Sequence, residues 1–305
     1  MYDIIFCIFG CDTIPKYKNE ILKINETWGK VALQYNIKLL YFLGEEKTDL
    51  VGEQYVHLPN VSNDHFSASD KQNLGLKYIR DNYDTKFVYI CGTDTYVNIK
   101  KLLLYLKNFN HNDNLYIGGH GYHKEFSKYI FYHHDGGAGI ILSLGCLKKI
   151  YYMLEDMFNE WKLVCHMNHR NDAIVGCDLA LGYFVQLEHI NSKIIKNDEA
   201  FFRCNYKGYS PLNQEGSCCV KYTKPIEYQW GVSEGRCPIK LENIIACHNM
   251  SLSNFDEFTK ILEDNNYFVA VDVGVTVGVT VLTGIFATLG KIFPPTGDAG
   301  VTDTT

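Results

Sequence analysis

The chain has 305 residues, 46% of them hydrophobic and 21% charged, with a formal charge of −6 at pH 7. That length and composition suit an ordinary globular core and exclude a disordered or fibrous chain. An acidic balance without a basic run gives a nucleic acid nothing to bind electrostatically.

The first ten residues, Met-Tyr-Asp-Ile-Ile-Phe-Cys-Ile-Phe-Gly, carry no basic stretch and are too short for a signal segment with its cleavage site. They read as a core strand over 3–9 that starts at once, with no membrane anchor at this end. Apolar, β-rich runs at 37–43 and 86–91 predict two more strands. Helical patterns lie between and after them: one over 16–34, one after Ser69, and one over Ile99–Lys107. The second has a Ser-x-x-Gln spacing from Ser69 to Gln72 that resembles a capping box. Strands alternating with helices predict an α/β domain, a mainly parallel sheet with helices on both faces. Such sheets bind ligands beyond the carboxyl ends of their strands. Asp94, in Tyr-Ile-Cys-Gly-Thr-Asp-Thr-Tyr-Val-Asn (89–98), falls at that end; taken alone, it is a turn residue.

Residues 135–143, Asp-Gly-Gly-Ala-Gly-Ile-Ile-Leu-Ser, lead into a helix whose Leu147, Ile150, Tyr151 and Leu154 share a face. Residues 178–190 are helical in pattern, 200–240 form an irregular Cys-, Gly- and Pro-containing stretch, and a last helix near Asn254 carries Phe255, Phe258 and Leu262. Of eleven cysteines, Cys7, Cys91 and Cys177 sit in apolar runs as small hydrophobes. Cys204, Cys218, Cys219, Cys237 and Cys247 suit disulfides in an oxidising lumen or free thiols in a reducing compartment. Glycosylation sequons at Asn25, Asn60 and Asn249 permit a secretory route, so cytoplasm and secretory lumen both stay open. From 269 to 281 valine takes every odd position, and 273–290 carry no charge. Residues 269–305 therefore read as an extension to a domain spanning 1–268, either a membrane anchor of barely sufficient length or a β-like appended segment.

Several of these stretches resemble one family in order. Lys-Ile-Asn-Glu-Thr-Trp-Gly-Lys (23–30) is similar to the Thr-Trp-Gly segment of Fringe-like and core-1-type β1,3-glycosyltransferases. Residues 89–106 resemble their Asp-Asp-Asp-Thr-Tyr-Val strand, loop and helix, and Gly136-Gly137-Ala138-Gly139 their Gly-Gly-Ala-Gly loop. Cys177-Asp178-Leu-Ala-Leu-Gly resembles their Glu-Asp-Leu-Ala-Leu-Gly helix start; Gly-Ser-Cys-Cys (216–219) and Ala-Cys-His248-Asn resemble the paired cysteines and late histidine of the core-1 branch. The resemblance spans 3–262 and implies a GT-A fold: a Rossmann-like mixed sheet flanked by helices in a single catalytic domain, with a nucleotide-binding half (1–110) and an acceptor half (111–268). It further implies a UDP-sugar donor, a glycan or glycoprotein acceptor, a divalent ion (Mn²⁺, with Mg²⁺ as alternative) and inversion at the anomeric carbon. Galactose is the favoured sugar, with N-acetylglucosamine open.

The chemistry asks for two things. A departing diphosphate needs its charge neutralised, which a divalent ion does; oxygen ligands suit Mn²⁺ and Mg²⁺, and an added imidazole favours Mn²⁺. The acceptor hydroxyl needs a base. By resemblance Asp94 and His248 are the metal ligands and Asp178 is the base, with Asp172 as the alternative. Asp178 is also placed to cap its helix. Asp12, Thr93 and Gly136–Gly139 are the implied donor contacts, and Trp28 is structural. Gly92 and Thr93 stand where the family has carboxylates, which leaves open a non-catalytic UDP- or glycan-binding, chaperone-like relative. His120/His123 and Cys165/His169 have metal-like spacings but no second matching pair, so no zinc site is expected. There is no Walker loop, dinucleotide-binding glycine motif or nucleophile elbow.

Overall fold

The first strand, β1 (Tyr2–Phe9), is buried on both faces, as a central strand covered by helices must be. Its side chains alternate: Ile4, Phe6 and Ile8 enter one core, and Ile5 and Cys7 the other. The structure is a computed structural model that describes residues 1–46, 48–64, 66–126, 129–203, 206 and 241–264. After β1 come α1 (Pro15–Glu26), α2 (Trp28–Ala32), β2 (Ile37–Leu43), β3 (Tyr55–His57), α3 (Ser67–Asn82), β4 (Thr85–Cys91), β5 (Tyr96–Val97) and α4 (Ile99–Leu106). Then follow β6 (Leu115–Gly118), the hairpin β7 (Tyr122–Phe126) and β8 (Tyr129–His133), β9 (Ile140–Ser143), α5 (Leu144–Ile150), α6 (Met157–Met167) and α7 (Cys177–Phe184). The described chain closes with β10 (Lys193–Lys196), β11 (Phe201–Phe202), β12 (Ala246–Cys247) and α8 (Leu252–Asp264).

Seven strands form one sheet in the order β10-β6-β9-β4-β1-β2-β3. Helices α1, α2, α4 and α8 cover one face through Ile21, Trp28, Leu102 and Phe258; α3, α5, α6 and α7 cover the other through Leu76, Leu147, Trp161 and Leu181. This is the expected mixed α/β architecture. It departs from a mainly parallel sheet at β9, which runs antiparallel to both β4 and β6. The chain enters β9 from the β7–β8 hairpin through a tight glycine turn, so no helical crossover returns it to the parallel direction.

Two local expectations are corrected. The helix over 16–34 breaks at Thr27 (φ −110°, ψ −112°) into α1 and α2. At this break the chain folds back so tightly that a Cβ on Gly29 would lie 2.6 Å from the Ile24 carbonyl oxygen. The capping box at Ser69 does not form. Asp64 Oδ1 instead accepts from the Ser67 backbone N–H at 2.8 Å, which starts α3 two residues earlier and leaves Ser69 inside its first turn.

Among the described residues no helix is long and apolar enough to cross a membrane. The expectations for most of 200–240, with Cys204, Cys218, Cys219 and Cys237 of the cysteine cluster, and for 269–305 lie outside the described residues; the fifth, Cys247, is buried and free. The sequon asparagine Asn25 is engaged in the fold, its amide bonded to the hydroxyls of Tyr41 and Tyr55 at 2.8 and 2.9 Å.

Candidate active site

The loop after β4 carries Gly92, Thr93 and Asp94 and ends at β5. Strand β5 pairs antiparallel with β12, Tyr96 opposite Cys247, and the Met250 N–H donates to the Asp94 carbonyl at 3.0 Å. That register sets His248 beside Asp94, with Nε2 3.3 Å from Asp94 Oδ2. His248 is held from behind: its backbone N–H donates to Phe202 at 3.1 Å, and Nδ1 lies 3.2 Å from the Arg203 carbonyl. An Nδ1–H donated to that carbonyl turns Nε2 toward Asp94, the tautomer being assigned from this network. Burial disfavours both charged forms, yet each group favours the charged form of the other. Asp94 is drawn below the usual carboxylate range by His248, and His248 is raised above the ordinary imidazole value by Asp94.

Gly136 and Gly137 tie this pair to Asp178. The Thr95 hydroxyl, next to Asp94, donates to the Gly137 carbonyl at 2.8 Å. On the other side the Gly136 N–H donates to Asp178 Oδ2 at 3.1 Å. Neither glycine has room for a side chain. A Cβ on Gly136 would sit 3.0 Å from the Asp178 Cβ, and one on Gly137 only 2.1 Å from His248 Nδ1. Gly137→Ala is therefore expected to cost about 1–3 kcal/mol, as overpacking does, read as a lower urea midpoint. Asp178 does not cap α7, whose N-cap is Gly176. Its Oδ1 accepts the Leu179 N–H at 2.8 Å, and the buried His133 Nδ1 stands 3.8 Å from Oδ2.

Asp94, His248, Gly136, Gly137, Thr93 and Asp178 all line one cavity of ≈ 620 Å³. It opens beyond the carboxyl ends of β1 and β4, where a sheet of this kind binds its ligand. The other sequence candidates stand elsewhere. Asp12 is buried behind the wall, accepting from the Thr48 hydroxyl at 2.6 Å, and does not line the cavity. Ala138 is fully buried, its carbonyl accepting from the Tyr89 hydroxyl at 2.7 Å; Gly139 turns the chain with φ +90° into β9. Asp172 is an exposed acid paired with Arg170 at 2.9 Å, away from the cavity.

Two residues not anticipated from the sequence stand at the site, Lys71 in the cavity wall and Glu20 behind it, bonded to the lining Thr93. Lys71, on α3, lines the cavity while almost fully buried, donating to the Gly10 carbonyl at 2.8 Å and to Asn63 Oδ1 at 3.0 Å. Burial lowers its pKa, opposed by Cys11, Asp12 and Asp64. Glu20, on α1, is 3% exposed and accepts a hydrogen bond from the Thr93 hydroxyl. Burial holds its carboxyl above the usual range against the pull of Thr93. Both residues fall on the buried stripe of their helix (71, 72, 75, 76, 79 and 20, 21, 24), and a charge on such a stripe is the signal that marks them.

Comparison with known proteins gives a family and little else. No curated protein matches the sequence. Among solved structures, one described as a glycosyltransferase involved in the glycosylation of the major capsid of PBCV-1 is 15% identical. It covers 85% of this chain and 99% of its own, with a TM-score of 0.43. A family model described as Fringe-like matches residues 3–199. That match takes in well over half of the sequence, including the Asp94 loop, the paired glycines and Asp178, so the chain belongs to the Fringe-like family and is a glycosyltransferase.

Proposed function

We propose that this glycosyltransferase moves a hexosyl unit, galactose in preference to N-acetylglucosamine, from a UDP-sugar to a glycan hydroxyl with inversion, forming a β1,3 bond. The observation that carries the reading is the placement of the Asp94–His248 pair and of Asp178 on either side of Gly136-Gly137 in a single cavity. In the mechanism Asp178 accepts the proton of the acceptor hydroxyl as its oxygen attacks the anomeric carbon. The bond from that carbon to the diphosphate breaks on the opposite face, and its electron pair leaves with UDP. The Gly136 and Leu179 N–H groups hold the carboxylate in place throughout.

The pair Asp94–His248 fits a divalent ion. One carboxylate and one imidazole converge at 3.3 Å, and the imidazole is oriented from its far nitrogen by a backbone carbonyl, the usual support of a metal-bound histidine. Among the described residues no group of three or more His, Cys, Asp or Glu side chains is arranged for a metal. Asp94 and His248 would hold such an ion, and Mg²⁺ and Mn²⁺ are the kind that protein phosphate sites hold with few side-chain ligands. When bound there, Mn²⁺ or Mg²⁺ supplies neutralisation of the charge on the departing diphosphate. Lys71 brings an amine to the same wall.

The test is to measure UDP binding and UDP-sugar hydrolysis with Mn²⁺, with Mg²⁺ and in EDTA, for UDP-galactose and UDP-N-acetylglucosamine. Metal-stimulated hydrolysis of one donor supports the reading. Binding and turnover indifferent to metal overturn the role given to Asp94 and His248, and a lack of UDP binding under every condition overturns the nucleotide reading.

A further inference from the structure

Glu20 is a carboxylate for which the proposed chemistry has given no role. It stands on α1, far in sequence from the Asp94 loop, yet its carboxylate accepts from the hydroxyl of Thr93, the residue immediately before Asp94. Its side chain is 4% exposed, and among the described residues its salt-bridge partner is Lys16 Nζ at 3.9 Å, on a side chain 69% exposed. A buried carboxylate is costly to keep when the cation paired with it is mostly in solvent. It lies within electrostatic reach of both Asp94 and His248, which act on it with opposite signs. Gly92 and Thr93, the two residues before Asp94, carry no charge of their own.

We infer that Glu20 restores from helix α1 the negative charge that the loop itself lacks, with the Thr93 hydroxyl as the bracket that fixes it beside Asp94. This rests on the reading of Asp94 and His248 as cation ligands. Glu20 is a positioning and charge-balancing residue of that site. Its carboxylate raises the affinity for a dication and keeps the Asp94 loop seated against α1. The Thr93 side chain, which cannot bind a metal as a carboxylate does, holds in place one that acts at a distance.

The experiment titrates Mn²⁺ into the full chain in the presence of UDP and follows the free-ion signal by electron paramagnetic resonance. Wild type is compared with Glu20→Gln and with the double variant Glu20→Gln/Thr93→Asp. Glutamine keeps an acceptor for the Thr93 hydroxyl, and circular dichroism with thermal melting confirms that each variant is folded. Glu20→Gln is expected to weaken Mn²⁺ binding by about tenfold, the order set by removing one negative charge near a dication inside a protein. UDP binding in EDTA should hold, and Thr93→Asp should recover most of the lost affinity. Unchanged Mn²⁺ affinity in Glu20→Gln overturns the proposal, and so does a loss that Thr93→Asp does not repair, since that loss belongs to the packing of α1. Should wild type itself bind no Mn²⁺ with UDP, the cation reading of Asp94 and His248 falls instead, a separate and recognisable result.

Discussion

Asp178→Asn is expected to lower kcat for transfer by about 10²–10⁴-fold, the usual contribution of a positioned base, while the donor KM and the affinity for Mn²⁺ stay close to wild type. The geometry gives the reason for the split. The carboxylate receives two backbone N–H groups, from Leu179 at 2.8 Å and from Gly136 at 3.1 Å, so the side chain is locked whether or not it is charged. Asparagine can accept one of them but must turn its own NH₂ toward the other. The fold should therefore lose about 1 kcal/mol, the worth of one hydrogen bond, and remain intact. Asp172→Asn is the matched control: that acid is exposed and paired with Arg170, and its replacement should leave kcat within twofold or so, as surface changes do. Steady-state kinetics of UDP release with an acceptor present decides the matter. A Asp178→Asn enzyme that keeps its rate, or a Asp172→Asn enzyme that loses it, reverses the assignment.

Asp94→Asn should show the second large effect, and in a different quantity. Loss of even an outer partner of a metal ligand costs 10–100-fold in affinity, so removal of the one carboxylate that faces His248 should cost more than about 100-fold in Mn²⁺ binding. Turnover should fall with it and recover only partly at high Mn²⁺. UDP binding measured in EDTA should be unaffected, because Lys71 and the glycine wall are untouched. Calorimetry with Mn²⁺ and UDP separates the two contributions. Equal Mn²⁺ affinity in the variant would remove Asp94 from the site.

Much of the fold is legible in the sequence, because burial leaves a periodic record. Strands β1, β2 and β4 are continuous apolar runs, and Phe255, Phe258 and Leu262 mark the buried stripe of α8. Strands β5 and β12 are not legible. Each is two residues long, too short for any period, and their pairing depends on a register set across the whole domain. The direction of β9 is hidden for a similar reason, since an apolar run of four residues does not say which way it lies. At the site, resemblance singles out Asp94, Asp178 and His248, but only the structure shows that they share a cavity. It also separates residues that stand side by side in sequence: Gly136 and Gly137 face the cavity, whereas Ala138 and Gly139 turn behind it toward Tyr89. Asp12 is in the same position as those two, one residue beyond the lining Cys11 with its carboxylate turned to Thr48. Lys71 and Glu20 went unread because a charged residue on a helix is first taken for a solvated one, and only its place on the buried stripe argues otherwise.

The pairing of β5 with β12 has a consequence for the order in which the site comes into being. In the order of synthesis His248 follows Asp94 by 154 residues. Until β12 docks, the polypeptide has the strands whose ends open on the cavity, the paired glycines and Asp178, yet Asp94 lacks its His248 partner. A nascent or prematurely ended chain that stops at residue 199 contains all that the family model matches and still lacks that partner. The pairing of this small sheet is thus the step that gives the cavity both members of its Asp94–His248 pair.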